Sequence, residues 1–297
     1  MLYVSHFGLR EAPFGITPDT SFFYACLSIQ EALNTLLVAV VGGEGFIKLT
    51  GEVGTGKTLL CRKFLATLDE QYVSAYIPNP NLEPKTLLLA LAEELGVRIS
   101  PALDQHHLIK TLYLALLDFA RQRKRVVVCL DETQAMPLET LETLRLLTNL
   151  ETEKRKLLQV VIFGQPELDE KLDHSSIRQL KQRITFDFRL GPLSGAELAR
   201  YLDHRMTVAG YEGIRFFSPL AVRLMRLRTG GYPRLVNIVA HKSLLCAFGR
   251  GKRSVGWREV MEAVGDTSSA HFGKGRLLLL ALVPLGLAAA VAAGWWM

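Results

Sequence analysis

The stretch Gly51-Glu52-Val53-Gly54-Thr55-Gly56-Lys57-Thr58 puts a glycine-rich turn directly before a lysine and a hydroxyl side chain. That spacing suits the gripping of a phosphate chain. Glycines let the backbone wrap so that successive N–H groups point inward at phosphate oxygens. A helix opening at the lysine adds its positive end. Lys57 would reach the β and γ phosphates as a point charge, and the Thr58 hydroxyl would ligate Mg²⁺. The expected binding stretch runs through Leu59, with ATP and Mg²⁺ as the implied ligands. A second pair, Asp131 and Glu132, closes the apolar run 125–130. At the carboxyl end of a parallel strand both would face the crevice where ligands bind. Asp131 would hold Mg²⁺ directly or through water, and Glu132 would polarise the water that attacks the γ-phosphate. Taken alone, the two acids also read as a solvated turn; beside a phosphate loop they read as catalytic.

These residues need strands and helices in a particular order. Residues 46–50 form a short apolar run between Gly45 and Gly51, as a buried strand would, and 57–68 reads as the helix behind it. A second strand pattern at 72–77 is stopped by Pro78 and Pro80, and helical stretches follow at 83–95 and 106–123. The run Arg125-Val126-Val127-Val128-Cys129-Leu130 is apolar throughout its interior, typical of a parallel strand covered on both faces. A helix at 138–150 and a buried strand at 157–163 continue the alternation. Upstream, Ser28-Ile29-Gln30-Glu31 reads as a capping box opening a helix that ends at Gly42. The alternation predicts an α/β fold, a parallel sheet flanked by helices, over residues 1–191.

Beyond Pro192 the strand patterns stop. Ser194-Gly195-Ala196-Glu197 is a second capping box, starting a helix to about Ala209, and Ser218-Pro219 reads as an N-cap with proline at the first helical position. Helices are expected at 219–228, 233–248 and 257–264, making 192–265 a small all-helical domain. Residues 266–276 read as a short linker. From Leu277 to Met297 no residue is charged, and a helix over 277–297 would be ~31 Å long, close to the hydrocarbon thickness of a bilayer. Trp295 and Trp296 at one end and Lys274 and Arg276 at the other orient the span with the globular body in the cytoplasm. The alternative is a buried core helix. The segment reads as a single-pass inner-membrane anchor, either a tail anchor or a chain cut at the far face. Cys26, Cys61, Cys129 and Cys246 lie apart, with no spacing for a metal site or a disulfide framework, and read as small buried hydrophobes in a reducing compartment. Residues 1–9 lack the basic start of a signal peptide.

The phosphate turn, one intervening strand, the apolar-Asp-Glu strand end, a further strand and a helical region together resemble an AAA+ ATPase, a P-loop NTPase with a helical lid. His6-Phe7-Gly8-Leu9-Arg10-Glu11-Ala12-Pro13-Phe14 with Thr17-Pro18-Asp19, Gly43-Glu44-Gly45-Phe46, and Gly164-Gln165-Pro166-Glu167-Leu168 narrow the resemblance to the ExeA family, general secretion pathway protein A. Ile77-Pro78-Asn79-Pro80 and residues 147–156 resemble the MshM-type branch, which serves MSHA-type (type IV) pilus biogenesis. The resemblance covers about residues 1–265. It implies that Gln165 holds the sensor 1 position and orients the attacking water; otherwise it is a turn residue before Pro166. It implies that Arg183 is an arginine finger reaching a neighbouring subunit's γ-phosphate, with Arg178 as second candidate and a solvated surface arginine as the alternative for either. Arg234, in Gly230-Gly231-Tyr232-Pro233-Arg234, matches sensor 2 on the lid. Phe14 to Asp19 are candidates for adenine contact. The implied assembly is a homo-oligomer with nucleotide at subunit interfaces, and the implied partners are inner-membrane pilus or secretion assembly proteins. The family's usual Asp-Glu-Ala-Gln reads Asp131-Glu132-Thr133-Gln134 here, which keeps both carboxylates. Longer members carry a peptidoglycan-binding region past the membrane span; cell-wall binding is not transferred to these residues.

The chain has 35 Lys and Arg against 29 Asp and Glu, so nucleic acid must be weighed as a partner. The basic runs are 121–125, 154–156 and 249–253. The first suits a helix C-terminus, and the last suits anionic head groups near the span. No helix pairs basic with aromatic residues in a reading pattern, and the apolar tail also argues against nucleic acid. Two alternatives to a membrane-tethered ATPase remain open: a nucleotide-gated scaffold with negligible hydrolysis, and a DNA-dependent ATPase resembling transposition helpers.

Overall fold

The computed structural model describes residues 2–152 and 155–270. In chain order the first elements are α1 (Leu2–His6), α2 (Leu27–Gly42), β1 (Phe46–Gly51), α3 (Lys57–Leu65) and β2 (Tyr72–Ile77). Next come α4 (Pro84–Glu94), α5 (Gln105–Arg121), β3 (Arg125–Leu130), α6 (Leu138–Leu147) and β4 (Leu158–Gly164). The short helices α7 (Glu167–Leu172) and α8 (Arg178–Lys181) precede β5 (Phe186–Leu190). Four helices finish the described chain: α9 (Gly195–Val208), α10 (Pro219–Thr229), α11 (Pro233–Gly249) and α12 (Trp257–Gly265). The chain divides into two units, residues 18–191 and residues 1–17 together with those from Pro192 onward.

In the first unit all five strands are parallel, in the order β2-β3-β4-β1-β5. Successive strand residues point to opposite faces, and each face is apolar. Val126, Val128 and Leu130 join Leu87, Leu112 and Leu144 of α4, α5 and α6 in one layer. Val127 and Cys129 join Leu36 of α2 and Leu60 and Phe64 of α3 in the other. Full burial of each such large side chain contributes ~1.5–3 kcal/mol, which holds the strands in one register. Thr50 lies beside Gly164 and Leu130 beside Ile162, so β1, β4 and β3 end along one edge.

Four features differ from the sequence reading. The box predicted at Ser28–Glu31 does not form, because α2 starts two residues earlier, with Cys26 as N-cap and no side-chain cap. Ser28 then sits inside the first turn, its Oγ 3.3 Å from the Cys26 Sγ. Strand β5 was not expected. Its Phe-Asp-Phe-Arg-Leu pattern alternates because it is an edge strand, whereas the reading sought continuous apolar runs. Residues 266–270 begin the expected linker but are packed: Lys242 pairs with Asp266, the Thr267 hydroxyl donates to the Ala263 carbonyl (2.7 Å), and Ala270 is buried. Residues 1–17 group with the helical unit rather than with the sheet. No helix among the described residues is long and apolar enough to cross a membrane; the span expected at 277–297 lies outside the described residues.

The helical unit is built on aromatic side chains from both ends of the chain. Phe7 packs edge-on against Phe216 (5.0 Å) and Phe14 against Phe217 (5.7 Å), while the Tyr3 hydroxyl lies 3.1 Å from His241 Nδ1. Buried Arg205 donates through Nε to the Pro13 carbonyl (2.5 Å) and through Nη1 to the Tyr201 hydroxyl (2.9 Å). The predicted Ser194–Glu197 capping box is present, and Ser218 caps α10 ahead of Pro219.

Candidate functional site

The loop Gly51–Gly56 leaves the end of β1 and delivers Lys57 as the first residue of α3. Gly54 and Gly56 have φ of +78° and +101°, backbone that residues with a Cβ rarely adopt. A Cβ on Gly51 would stand 2.8 Å from Thr55 Oγ1 and 3.1 Å from the Leu190 carbonyl, so the start of the loop also has no room for a side chain. Thr55 closes the turn by donating to the Glu52 carbonyl (2.9 Å). Glu52 and Val53 are exposed at its crest, Gly54, Thr58 and Leu59 half-buried, Thr55 and Lys57 buried.

Lys57 is only 4% exposed, and its ammonium donates to two uncharged carbonyls, Gly51 (2.7 Å) and Glu52 (3.1 Å). It forms no ion pair among the described residues. Burial pulls its pKa down, against the upward pull of Glu132, Asp131, Glu52 and Glu167. A buried cation with neutral partners, inside a turn of inward-facing backbone, fits an anionic ligand of the phosphate type.

Asp131 and Glu132 follow the last residue of β3. Asp131 is 2% exposed, and burial raises its carboxyl against the lowering effect of a Thr58 hydrogen bond, the Glu132 N–H (3.0 Å) and Lys57. The Tyr76 hydroxyl donates to its Oδ2 at 3.5 Å. Thr58 and Asp131 are thus in direct contact, so the start of α3 and the tip of β3 meet. No group of three or more His, Cys, Asp or Glu able to hold a metal occurs among the described residues. A hydroxyl and one carboxylate suit Mg²⁺, which keeps waters and takes phosphate oxygens rather than an all-protein cage.

Glu132 adopts left-handed backbone, φ +53° and ψ +36°, a conformation that costs ~1–3 kcal/mol in a residue of this type. Its carboxylate Oε2 accepts the side-chain amides of Gln134 (2.5 Å) and Gln165 (2.9 Å). Gln134 Oε1 in turn accepts the Gln165 N–H at 3.0 Å, and Lys171 donates to the Gln134 and Met136 carbonyls. Burial pushes the Glu132 carboxyl up, but the two amides and Lys57 outweigh it and hold it below the usual carboxylate value. The group is therefore an ionised acceptor at neutral pH, able to polarise a water molecule.

The structure brings together Lys57, Thr58, Asp131, Glu132 and Gln165 along the shared edge of β1, β4 and β3. Gln134 and Tyr76 belong to the same cluster and were given no role by the sequence. Gln134 could have been found by its place two residues after the acid, in a turn too short to send it elsewhere. Of the arginines, Arg183 is half-buried, its Nη1 donating to the Thr148 hydroxyl at 3.3 Å, and Arg178 is exposed. Arg234 is exposed at the second position of α11, in the other unit. Phe14, a candidate for adenine contact, is instead a core residue, 2% exposed and packed on Phe217.

A family profile described as an AAA domain matches residues 41–172. General secretion pathway protein A of Aeromonas hydrophila is 38% identical over 303 residues, covering 99% of this chain and 54% of that protein. The chain resembles the ExeA-like AAA family along almost its whole length. It spans about half the length of the curated relative it matches. Among solved structures, this ExeA-like chain resembles the Aeropyrum pernix ORC2 protein in its ADPNP–ADP complexes (18% identity, TM-score 0.63, 88% of this chain and 74% of that one). It also resembles the Thermotoga maritima RuvB Holliday junction branch migration motor (15% identity, TM-score 0.58, 88% of this chain and 76% of that one). Both show the fold: an α/β P-loop architecture with a parallel sheet between helices.

Proposed function

We propose that the chain is a membrane-tethered AAA+ ATPase that binds and hydrolyses ATP to support assembly of a type II secretion or type IV, MSHA-like pilus apparatus at the inner membrane. The observation that carries this reading is the convergence of a buried, unpaired ammonium and two carboxylates on one sheet edge. In it, residues 51–59 wrap the triphosphate, and Lys57 balances the charge of its β and γ phosphates. Thr58 and Asp131 hold Mg²⁺, which when bound neutralises phosphate charge. Glu132 polarises the attacking water and takes up its proton, Gln165 orients that water, and Arg234 takes the sensor 2 role that the resemblance implies. Arg183 completes the site of a neighbouring subunit. Residues 277–297 anchor the chain, with the ATPase in the cytoplasm, and the relative's name supports a secretion partner.

One observation favours a second reading, a nucleotide-gated scaffold with negligible turnover: two amides already occupy Oε2 of Glu132. Steady-state phosphate release by the full chain in detergent separates the two. Turnover that disappears in Glu132→Gln while ATP binding persists is the expected result. A wild-type chain that binds ATP without releasing phosphate would establish the scaffold, and a Glu132→Gln variant that still turns over would remove Glu132 from its role.

A further inference from the structure

The positive charge of this chain is concentrated in one region. Residues 192–265 carry 12 Lys and Arg against 5 Asp and Glu, whereas residues 18–191 carry 20 against 22. Within the helical unit, a cleft of about 380 Å³ opens between α9 and α10 and the chain leading into α10. Its apolar lining includes Ala199, Phe217 and Val222, with Phe217 fixed from behind by Phe14. Arg215, Arg223 and Arg226 also line it, and none of the three forms an ion pair of 4.0 Å or less among the described residues. Asp203 is the one carboxylate of the lining; burial raises its pKa against the lowering pull of Arg215. The first residues of α9 and α10, Gly195 and Pro219, sit in the wall, so two helices of 14 and 11 residues begin there. Their partial positive charge adds to the guanidinium groups, although the α9 end already holds the Glu197 carboxylate in its capping box and the α10 end is capped by Ser218 and opens on Pro219, which has no N–H.

Three arginines against one acid leave the cleft short of negative charge, and unmatched guanidinium groups at a concave surface are the usual marks of an anion-recognising interface. The apolar lining narrows the choice of anion. A phosphate backbone or a head group gains nothing from Ala199 and Val222, whereas a peptide carrying alternate acidic and apolar side chains satisfies both features. Leu220, 63% exposed, and Leu227, 49% exposed, extend apolar surface along α10 beyond the cleft. We propose that the α9–α10 cleft of the helical unit is a docking site for an acidic peptide segment with an apolar anchor, the anchor seated on Ala199 and Val222 over the buried ring of Phe217 and its flanking carboxylates paired with Arg215, Arg223 and Arg226. The cleft involves none of the residues assigned to ATP, so it takes a partner rather than substrate.

The test is fluorescence anisotropy of the full chain in detergent with short fluorescein-labelled peptides alternating Glu and Leu. Matched Lys–Leu and Glu–Ser peptides, labelled duplex DNA and phosphatidylglycerol vesicles serve as parallel arms. Saturable binding of the Glu–Leu peptide is expected, weakened at least about tenfold by the exposed pair Arg215→Ala/Arg223→Ala and separately by Val222→Ser. Replacing Glu by Lys, or Leu by Ser, in the peptide should abolish binding. An unchanged melting curve in each variant shows that the helical unit is intact. No saturable binding, binding indifferent to the arginine pair, or equal binding of the Glu–Ser peptide would overturn the proposal. Tighter binding of duplex DNA or vesicles, lost in the same variants, would assign the cleft to a phosphate-bearing surface instead.

Discussion

Lys57 is a buried ammonium whose partners are two backbone carbonyls of its own loop. Such carbonyls can be given up when charged oxygens arrive, and charge-assisted hydrogen bonds contribute ~1.5–3 kcal/mol each. Lys57→Ala should therefore weaken binding of a fluorescent ATP analogue by about a hundredfold, measured by titration, without lowering the melting temperature of the free chain. Gln134 supports Glu132 from the side and ties it to the Gln165 backbone. Gln134→Ala should reduce kcat about tenfold with KM changed less than twofold, and Gln134→Glu, which places a second anion beside Glu132, should reduce it further. A change confined to KM would mean that Gln134 serves nucleotide binding instead. At this scale the sequence was most informative where chemistry demands a spacing: Gly51 to Thr58 and Asp131-Glu132 could be read directly. The amide bridge could not, because it depends on Glu132 taking left-handed backbone, and no residue type signals that in advance.

Elements were legible in proportion to how far local pattern alone fixes them. The strands 72–77 and 125–130 begin and end where the apolar runs and prolines put them. The Ser194 capping box formed where the similar pattern at Ser28 did not, since α2 begins at Leu27 and leaves Ser28 no free cap position. Strand β5 escaped notice because its alternation reports an edge environment set by β1, which lies far away in sequence. Helix α12 owes its start to Glu259, whose side chain is fully buried and accepts from Lys252 (2.6 Å), Arg250 (2.9 Å) and the Gly256 N–H (2.9 Å). Burial pushes this carboxyl up, but the donors outweigh burial and hold it at about 2, below its ordinary 4.5. A carboxyl depressed on folding stabilises above the unfolded value and loses that contribution as pH falls toward the folded one. Glu259→Gln should melt lower than the wild type at neutral pH, and the gap should close between about pH 4.5 and about 2. A gap that stays constant through that window would deny Glu259 this role.

On the scale of the whole molecule, the proposed finger makes activity a property of neighbours. The rate per chain should rise steeply with protein concentration in a dilution series of phosphate release. Arg183→Ala should lower the plateau by about a thousandfold or more, the usual worth of an arginine finger, and Arg178→Ala should leave it nearly unchanged. A total rate strictly proportional to concentration would count against shared sites. The sequence reading divided the chain at Pro192, but it did not group residues 1–17 with the residues beyond that point. The grouping rests on Phe7, Phe14 and Arg205 meeting partners about 190 or more positions away, contacts that no periodicity encodes.

That grouping makes the sheet unit an insertion within the helical one. A protein chemist cannot separate the two with a single cut. A fragment starting at Pro192 would lack the aromatic plugs supplied by Tyr3, Phe7 and Phe14 and should fail to fold. A fragment that splices residue 17 to residue 192 through a short flexible bridge should be recoverable intact. Synthesis faces the same arithmetic, because residues 1–17 must wait for nearly the whole of the described chain before their own core can close around them.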